Sequence, residues 1–339
     1  MNAFRTPFQT LLRKTLLASL RSRLLRFPGN LKMPKAVRLP RAPAAKVPKA
    51  AKTAKAPGIA KQVLIDGHHT EAAGTRRFKL FVPPGHSRGP RALVVMLHGC
   101  TQDAANFAAG TRMNALAARD GFVVLYPEQA NANSPQRCWN WFKHNHQARG
   151  KGEPAILAGM VRAVSAAQGI DPRRIYVAGL SAGGAMAAIL GDAYPDLFAA
   201  VGVHSGLATG AARSVQSALA AMRGTGPEVP RGQPGGPPTI VFHGDQDSTV
   251  HPVNGERVLA RASYSQTVEQ QHGEQGRGYT RRIHRDAQGH IRAEHWLVHG
   301  AGHAWSGGSA QGSHTDPRGP DASAEMLRFF GTHVLPVGR

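Results

Sequence analysis

The chain has 339 residues, 41% of them apolar, enough to bury a full core as one large α/β domain with extensions or as two smaller domains. Its net charge of +22 is unevenly spread: residues 1–61 carry fifteen Lys or Arg and no Asp or Glu, so the excess belongs mainly to a tail. No apolar run reaches the length of a membrane-spanning helix, and nothing in the basic segment reads as base-specific nucleic-acid recognition.

From Phe8 to Phe27 leucines recur at 12, 16, 20 and 24 with arginines between them, which predicts a basic amphipathic helix. Residues 31–60, dominated by Pro, Ala and Lys, predict a semi-extended disordered linker. Together, residues 1–61 form a basic extension suited to an anionic membrane, a lipid-coated granule or nucleic acid, held by salt-sensitive electrostatics. A targeting segment and a solvated tail without a role are the alternatives. A secretory signal matches poorly, because charges interrupt every apolar core and no clear cleavage site follows one.

Residues 62–339 read as one domain of alternating strands and helices. "QVLIDG" and "RRFKLFVPP" predict an antiparallel entry hairpin, and "RALVVML" (91–97) a buried strand. The loop after it, "HGCTQ" (98–102), opens with His98 and Gly99 and places the Cys100 N–H where an oxyanion donor is needed. "TRMNALAARD" (111–120) predicts a helix and "FVVLYP" (122–127) a second buried strand. The loop "CWNWF" (138–142) holds Cys138 and a cluster of aromatic rings. Cys100 and Cys138 are the two cysteines, and one disulfide between them and two reduced thiols both remain open. Residues 154–169 predict a helix and "RIYVAG" a third strand.

Ser181 lies in Gly179-Leu180-Ser181-Ala182-Gly183, a G-x-S-x-G stretch between that strand and an alanine-rich helix. Small flanking residues permit a sharp turn that exposes the hydroxyl beyond the sheet and frees the Ala182 N–H as the first oxyanion donor. A serine that merely caps the helix is the alternative. "AAVGVHS" and "TIVFHG" (239–244) predict two further strands. In such a sheet the site lies past the carboxyl ends of the strands. There the chain places Asp245 and Asp247, and later, after a hairpin around 286–289, His303. The order Ser181, Asp, His303 is that of a serine-hydrolase triad. Asp247 is preferred, because four residues past His243 a short loop can turn its carboxylate back, whereas Asp245 sits where turn residues usually lie.

His98, His204, His243 and His299, at strand ends, read as structural imidazoles. None of the 17 histidines pairs with cysteines or carboxylates at metal-ligand spacing, so no metal and no cofactor is expected. Trp141 and Phe142, and Trp305 two residues past His303, suggest aromatic cleft walls, with Trp305 the better substrate contact and Trp139 a buried anchor. Residues 224–238 predict irregular structure beside the site, and "PDASAEMLRFFGTHVL" a terminal helix with Phe329 and Phe330 facing the core.

The motifs "LHGCTQ", "CWNWF", "GLSAGGAMA", "HGDQDSTV" and "GAGHAWSGG", in this order within about residues 62–333, resemble the polyhydroxybutyrate-depolymerase-type esterases, relatives of feruloyl and acetylxylan esterases. The resemblance implies an α/β-hydrolase fold with helices on both faces of a mostly parallel sheet. It implies ester hydrolysis by Ser181, Asp247 and His303, an oxyanion hole at Cys100 and Ala182, and a Cys100–Cys138 disulfide. The expected substrate is a polyhydroxybutyrate or short-chain hydroxyalkanoate ester, with a feruloyl or acetylxylan ester as the alternative. A non-catalytic granule- or surface-binding protein on the same fold is the alternative from another class. The resemblance implies an extracellular or extracytoplasmic location, against which the poor signal match leaves a cytoplasmic one.

Overall fold

A computed structural model describes residues 64–85, 89–227, 236–260, 265–271 and 276–336. The helix expected over 8–27, the linker over 31–60 and residues 228–235 of the expected irregular stretch lie outside the described residues. All that is described falls within one compact unit, Ile59–Arg339.

The entry hairpin forms as expected, β1 (Ile65–Glu71) pairing antiparallel with β2 (Gly74–Phe81). The apolar runs become β3 (Arg91–Leu97), β4 (Val123–Glu128), β5 (Ile170–Leu180), β6 (Ala200–His204) and β7 (Thr239–Gly244), paired in parallel, and β10 (Ile291–Val298), the second strand of the expected hairpin, joins them parallel to β7. Two further strands, β8 (Ser265–Gln271) and β9 (Tyr279–Arg285), close the far edge antiparallel. Among the described residues these ten strands form one sheet in the order β1-β2-β4-β3-β5-β6-β7-β10-β9-β8.

The runs are continuous rather than alternating because both faces of the central strands are covered. Along β3, Leu93, Val95 and Leu97 point into one core and Val94 and Met96 into the other. The first core is closed by α3 (Gly152–Gln168), α4 (Ala182–Ala193), α5 (Val215–Met222) and α6 (Val253–Leu259), through Leu157, Val161, Met186, Leu190, Ala218 and Val258. The second is closed by α1 (Ala104–Thr111), α2 (Met113–Asp120) and α7 (Ala322–Phe330), through Phe107, Met113, Met326, Phe329 and Phe330. This is the α/β-hydrolase architecture: a mostly parallel sheet between two helical layers.

The helix expected over 111–120 starts instead at Met113. Arg112, at φ 56°, turns the chain between α1 and α2 and serves as cap to both. From β3 the chain moves to β4 on one side, while β5 lies on the other side of β3. The carboxyl ends of β3 and β5 therefore flank the point where the strand order reverses, the natural crevice of an open α/β sheet.

Candidate active site

Ser181 sits in that crevice, between the last residue of β5 and the first of α4. Its backbone adopts φ 57° and ψ −118°, a conformation that costs a non-glycine residue about 1–3 kcal/mol. The turn persists because its surroundings are over-determined. The Ser181 N–H donates to His204 O at 2.8 Å, and the Ser181 carbonyl accepts the Ala185 N–H at 2.9 Å. Two glycines make the turn sterically feasible. A Cβ on Gly179 would lie 2.4 Å from the Gly183 carbonyl carbon, and one on Gly183 would lie 2.1 Å from Leu97 O. The Ser181 side chain makes no capping bond to α4, so the helix-cap alternative does not hold. Ser181 is half-buried.

The two carboxylates after β7 take different partners. Asp247 Oδ1 accepts the Thr249 and Val250 N–H groups, each at 2.9 Å, and its Oδ2 accepts His303 Nδ1–H at 2.7 Å. His243 Nε2 donates to Val250 O at 2.8 Å and stands 3.5 Å from the same Oδ2. Burial alone would push the Asp247 carboxyl upward, but the bonds from His243, His303 and the Val250 N–H outweigh it and hold the group far below the ordinary carboxylate range. Asp245 serves the neighbouring turn, accepting the Gly300 N–H at 2.7 Å and His299 Nδ1–H at 3.2 Å. With its Nδ1 committed to Asp247, His303 keeps Nε2 for proton transfer. Among the described residues Ser181 Oγ has no hydrogen-bond partner, so the link from Ser181 to His303 is the one contact of the three-residue set that stands open.

His204 ties the two halves together. Its carbonyl holds the Ser181 N–H, while its ring Nε2 accepts the Ser306 N–H at 2.9 Å, three residues past His303. Burial, reinforced by the nearby His243 and His303, lowers its pKa to about 3, so it is a neutral structural imidazole. The loop carrying His303 is also tied to the end of β7, Gln246 N–H donating to Ala301 O at 3.0 Å.

The loop after β3 is held from both sides of Cys100. Gly99 N–H donates to Gln102 Oε1 at 2.9 Å and Thr101 N–H to Gln136 O at 2.6 Å. Cys100 is joined to Cys138 in a disulfide. His98 is buried and neutral, its pKa lowered by burial; its Nε2 accepts the Gln129 N–H at 3.1 Å, and its carbonyl accepts Trp139 Nε1–H, also at 3.1 Å. Ala182 opens α4, so its N–H belongs to the first turn, where amides have no intrahelical acceptor.

Trp305 requires a correction. It is 1% exposed, stacked on His204 at 5.1 Å and edge-on to Phe107 at 5.4 Å, with its indole N–H donating to Ser323 Oγ at 3.1 Å. It lies in the two-residue strand β11 (Trp305–Ser306), paired with β12 (Thr315–Asp316), and faces the core. It anchors the His303 loop instead of lining a cleft. Trp141, 6% exposed and packed edge-on against Phe142, is likewise committed to packing, and Trp139 is fully buried as expected. A cavity of about 510 Å³ opens at the opposite end of the sheet, lined by Arg91, Phe122, Tyr176 and Phe330. Glu153, Gln129 and Asn140, which no sequence expectation named, form a buried network beside the loop that carries Cys138. Their partners come from distant segments, and no local spacing signals them.

The family model described as "Esterase PHB depolymerase" matches residues 76–282. The chain is 31% identical over 259 residues to poly(3-hydroxyalkanoate) depolymerase C of Paucimonas lemoignei, covering 72% of this chain and 60% of that protein. It is 28% identical over 228 residues to feruloyl esterase B of Thermothelomyces thermophilus, covering 61% of this chain and 77% of that one. This chain thus spans three-fifths of the depolymerase's length and about three-quarters of the feruloyl esterase's. Among solved structures, an acetyl xylan esterase from Aspergillus awamori superposes with a TM-score of 0.59 at 21% identity, over 76% of this chain and 94% of that one, a likeness of fold.

Proposed function

Since the chain belongs to the family of polyhydroxybutyrate-depolymerase-type esterases, we propose that it hydrolyses carboxylic esters through an acyl-enzyme on Ser181. The observation that carries the reading is the 2.7 Å bond from His303 Nδ1–H to a buried, ionised Asp247, together with a serine held on a strained turn at the sheet's switch point, the serine and the loop of His303 both being tied to His204. Asp247 fixes the tautomer of His303 and stabilises its protonated form. His303 Nε2 takes the proton of Ser181 Oγ as the oxygen attacks the ester carbonyl, a contact that tightens when substrate seats against the serine. The tetrahedral oxyanion is received by the Cys100 and Ala182 N–H groups. Collapse expels the alcohol with the proton from His303; water, deprotonated by the same imidazole, then releases the acid and restores Ser181.

The substrate class we propose is a short-chain hydroxyalkanoate ester, polymeric or oligomeric, supported by the depolymerase relative. The similarity to a feruloyl esterase favours a carbohydrate-ester substrate as the second reading. Initial rates on butyryl and octanoyl esters, polyhydroxybutyrate particles, and feruloylated and acetylated sugars separate the two, with folded Ser181→Ala as the blank. A preference for the hydroxyalkanoate supports the first reading, and a preference for the sugar esters replaces it. Equal inertness of wild type and variant on every ester would remove catalysis altogether and favour a binding role.

For residues 1–61 we propose attachment to an anionic surface or polyester granule, since fifteen cations face no acidic residue there. Co-sedimentation of the full chain with anionic vesicles and polyester particles, falling as salt rises and absent when residues 1–61 are removed, is the expected result. The Cys100–Cys138 disulfide supports a location outside the reducing cytoplasm. No helix among the described residues is long and apolar enough to cross a membrane.

A further inference from the structure

Glu153, in the first turn of α3, is 0% exposed. Its Oε1 accepts Arg76 Nη2–H from β2 at 3.0 Å and Asn140 Nδ2–H at 2.7 Å, and also the side-chain amide of Gln129. Its Oε2 accepts the Asn140 N–H at 2.7 Å. Burial would raise this carboxyl, but the donors around it outweigh burial and keep it ionised. A neutral side chain could not serve in its place: the four donors need two acceptor oxygens, and a Gln amide has one.

From this carboxylate two hydrogen-bonded paths and one covalent link reach the oxyanion turn. Gln129 gives its side-chain amide to Glu153 and to Cys138 O at 3.1 Å, while its backbone N–H goes to His98 Nε2. Asn140, gripped through both its amides, fixes the chain beside Trp139, whose Nε1–H holds His98 O. Cys138, between them in sequence, is bonded to Cys100. The turn from His98 to Cys100 is therefore oriented by groups whose other ends meet on one carboxylate.

We propose that Glu153 is a positioning residue for the oxyanion hole, setting the direction of the Cys100 N–H through Gln129, Asn140 and the ring of His98. The inference rests on the ester-hydrolase reading above. The buried charge does not touch substrate; its role is to keep an amide aimed at the point where negative charge develops, and catalysis is sensitive to small errors in such aim.

The test compares full-length wild type with Glu153→Gln and Gln129→Met. Three quantities are read: kcat and KM on p-nitrophenyl butyrate, inhibition by a trifluoromethyl ketone that forms a tetrahedral adduct, and the rate at which dithiothreitol reduces Cys100–Cys138. Gln129→Met leaves the Arg76–Glu153 pair intact and decides the matter if Glu153→Gln does not fold. The expected result is a fall in kcat of about 10- to 100-fold with KM within about threefold, an equal weakening of ketone inhibition, and faster disulfide reduction. Folded variants whose kcat and ketone affinity stay within about twofold of wild type, or which change KM alone, would overturn the proposal. Disulfide reduction needs no turnover. An inert wild type therefore sinks the ester reading, while unaltered reduction in both variants sinks the positioning role by itself.

Discussion

Replacing Asp247 by Asn exchanges one carboxylate oxygen for an amide NH₂ at the centre of the site and leaves its shape. The carboxylate takes two backbone N–H groups on Oδ1, and on Oδ2 it takes His303 Nδ1–H at 2.7 Å with His243 Nε2 3.5 Å away. An Asn side chain has one acceptor oxygen. If that oxygen stays on Thr249 and Val250, the amide NH₂ faces His303 and His243, donor against donor. His303 then settles into the tautomer with its proton on Nε2 and can no longer accept from Ser181. A wrong-tautomer histidine lowers kcat by about 10⁴, which is about 5 kcal/mol of transition-state stabilisation. KM should change little, because the interaction is made in the transition state. The assay is steady-state hydrolysis of p-nitrophenyl butyrate by Asp247→Asn and Asp245→Asn, each checked for folding by circular dichroism. Asp245 supports the Gly300 turn and His299, so its variant should keep kcat within about tenfold. The reasoning is refuted if Asp247→Asn remains within tenfold of wild type while Asp245→Asn collapses.

Gly183→Ala places a Cβ 2.1 Å from Leu97 O, a backbone atom, and should destabilise by about 3 kcal/mol or more and abolish turnover. Gly184→Ala, whose nearest contact is 3.0 Å, should cost less than about 1 kcal/mol because helix propensity offsets the crowding; thermal melts of the two variants check the contrast. Cys138→Ser opens a link spanning 38 residues and should lower stability by about 2–4 kcal/mol in a denaturant melt, with a loss of activity as the oxyanion loop loosens. The Glu153 carboxyl is held below its ordinary value of 4.5, so its contribution is present above pH 4.5 and is lost as pH falls through the lowered value. Protonating it leaves Arg76 buried without a counter-charge; a melting-temperature profile carried from pH 6 to pH 1.5, below the lowered value of about 2, should show that loss, flattened in Glu153→Gln.

The parallel core was legible because β3, β4 and β7 are buried on both faces, which writes each as an unbroken apolar run. The serine turn was legible because its steric demands admit only small residues at Gly179 and Gly183, and because Ser181, Asp247 and His303 each follow a strand that ends at the same edge. Less was legible where identity depends on distant partners. The helices α1, α5 and α6 are short, and the first two are rich in Ala, so their apolar stripes are faint. The edge strand β8, "SQTVEQQ", is largely polar and owes its existence to pairing with β9. Trp305 looked like a cleft residue from its place beside His303. Its burial is decided by Phe107 and His204, about 200 and 100 residues earlier in the chain. The Glu153 network is invisible for the same reason: Arg76, Gln129 and Asn140 meet it from three separate segments.

The central claim is that Ser181 is the nucleophile, and a fluorophosphonate probe tests it most directly. Wild-type protein is titrated with the probe while ester turnover is followed, and the adduct is located by peptide mass spectrometry. A single adduct on the peptide containing Ser181 is expected, with turnover lost in proportion to labelling and no labelling of Ser181→Ala or of denatured wild type. Labelling at another residue, or full turnover after Ser181 is occupied, would contradict it.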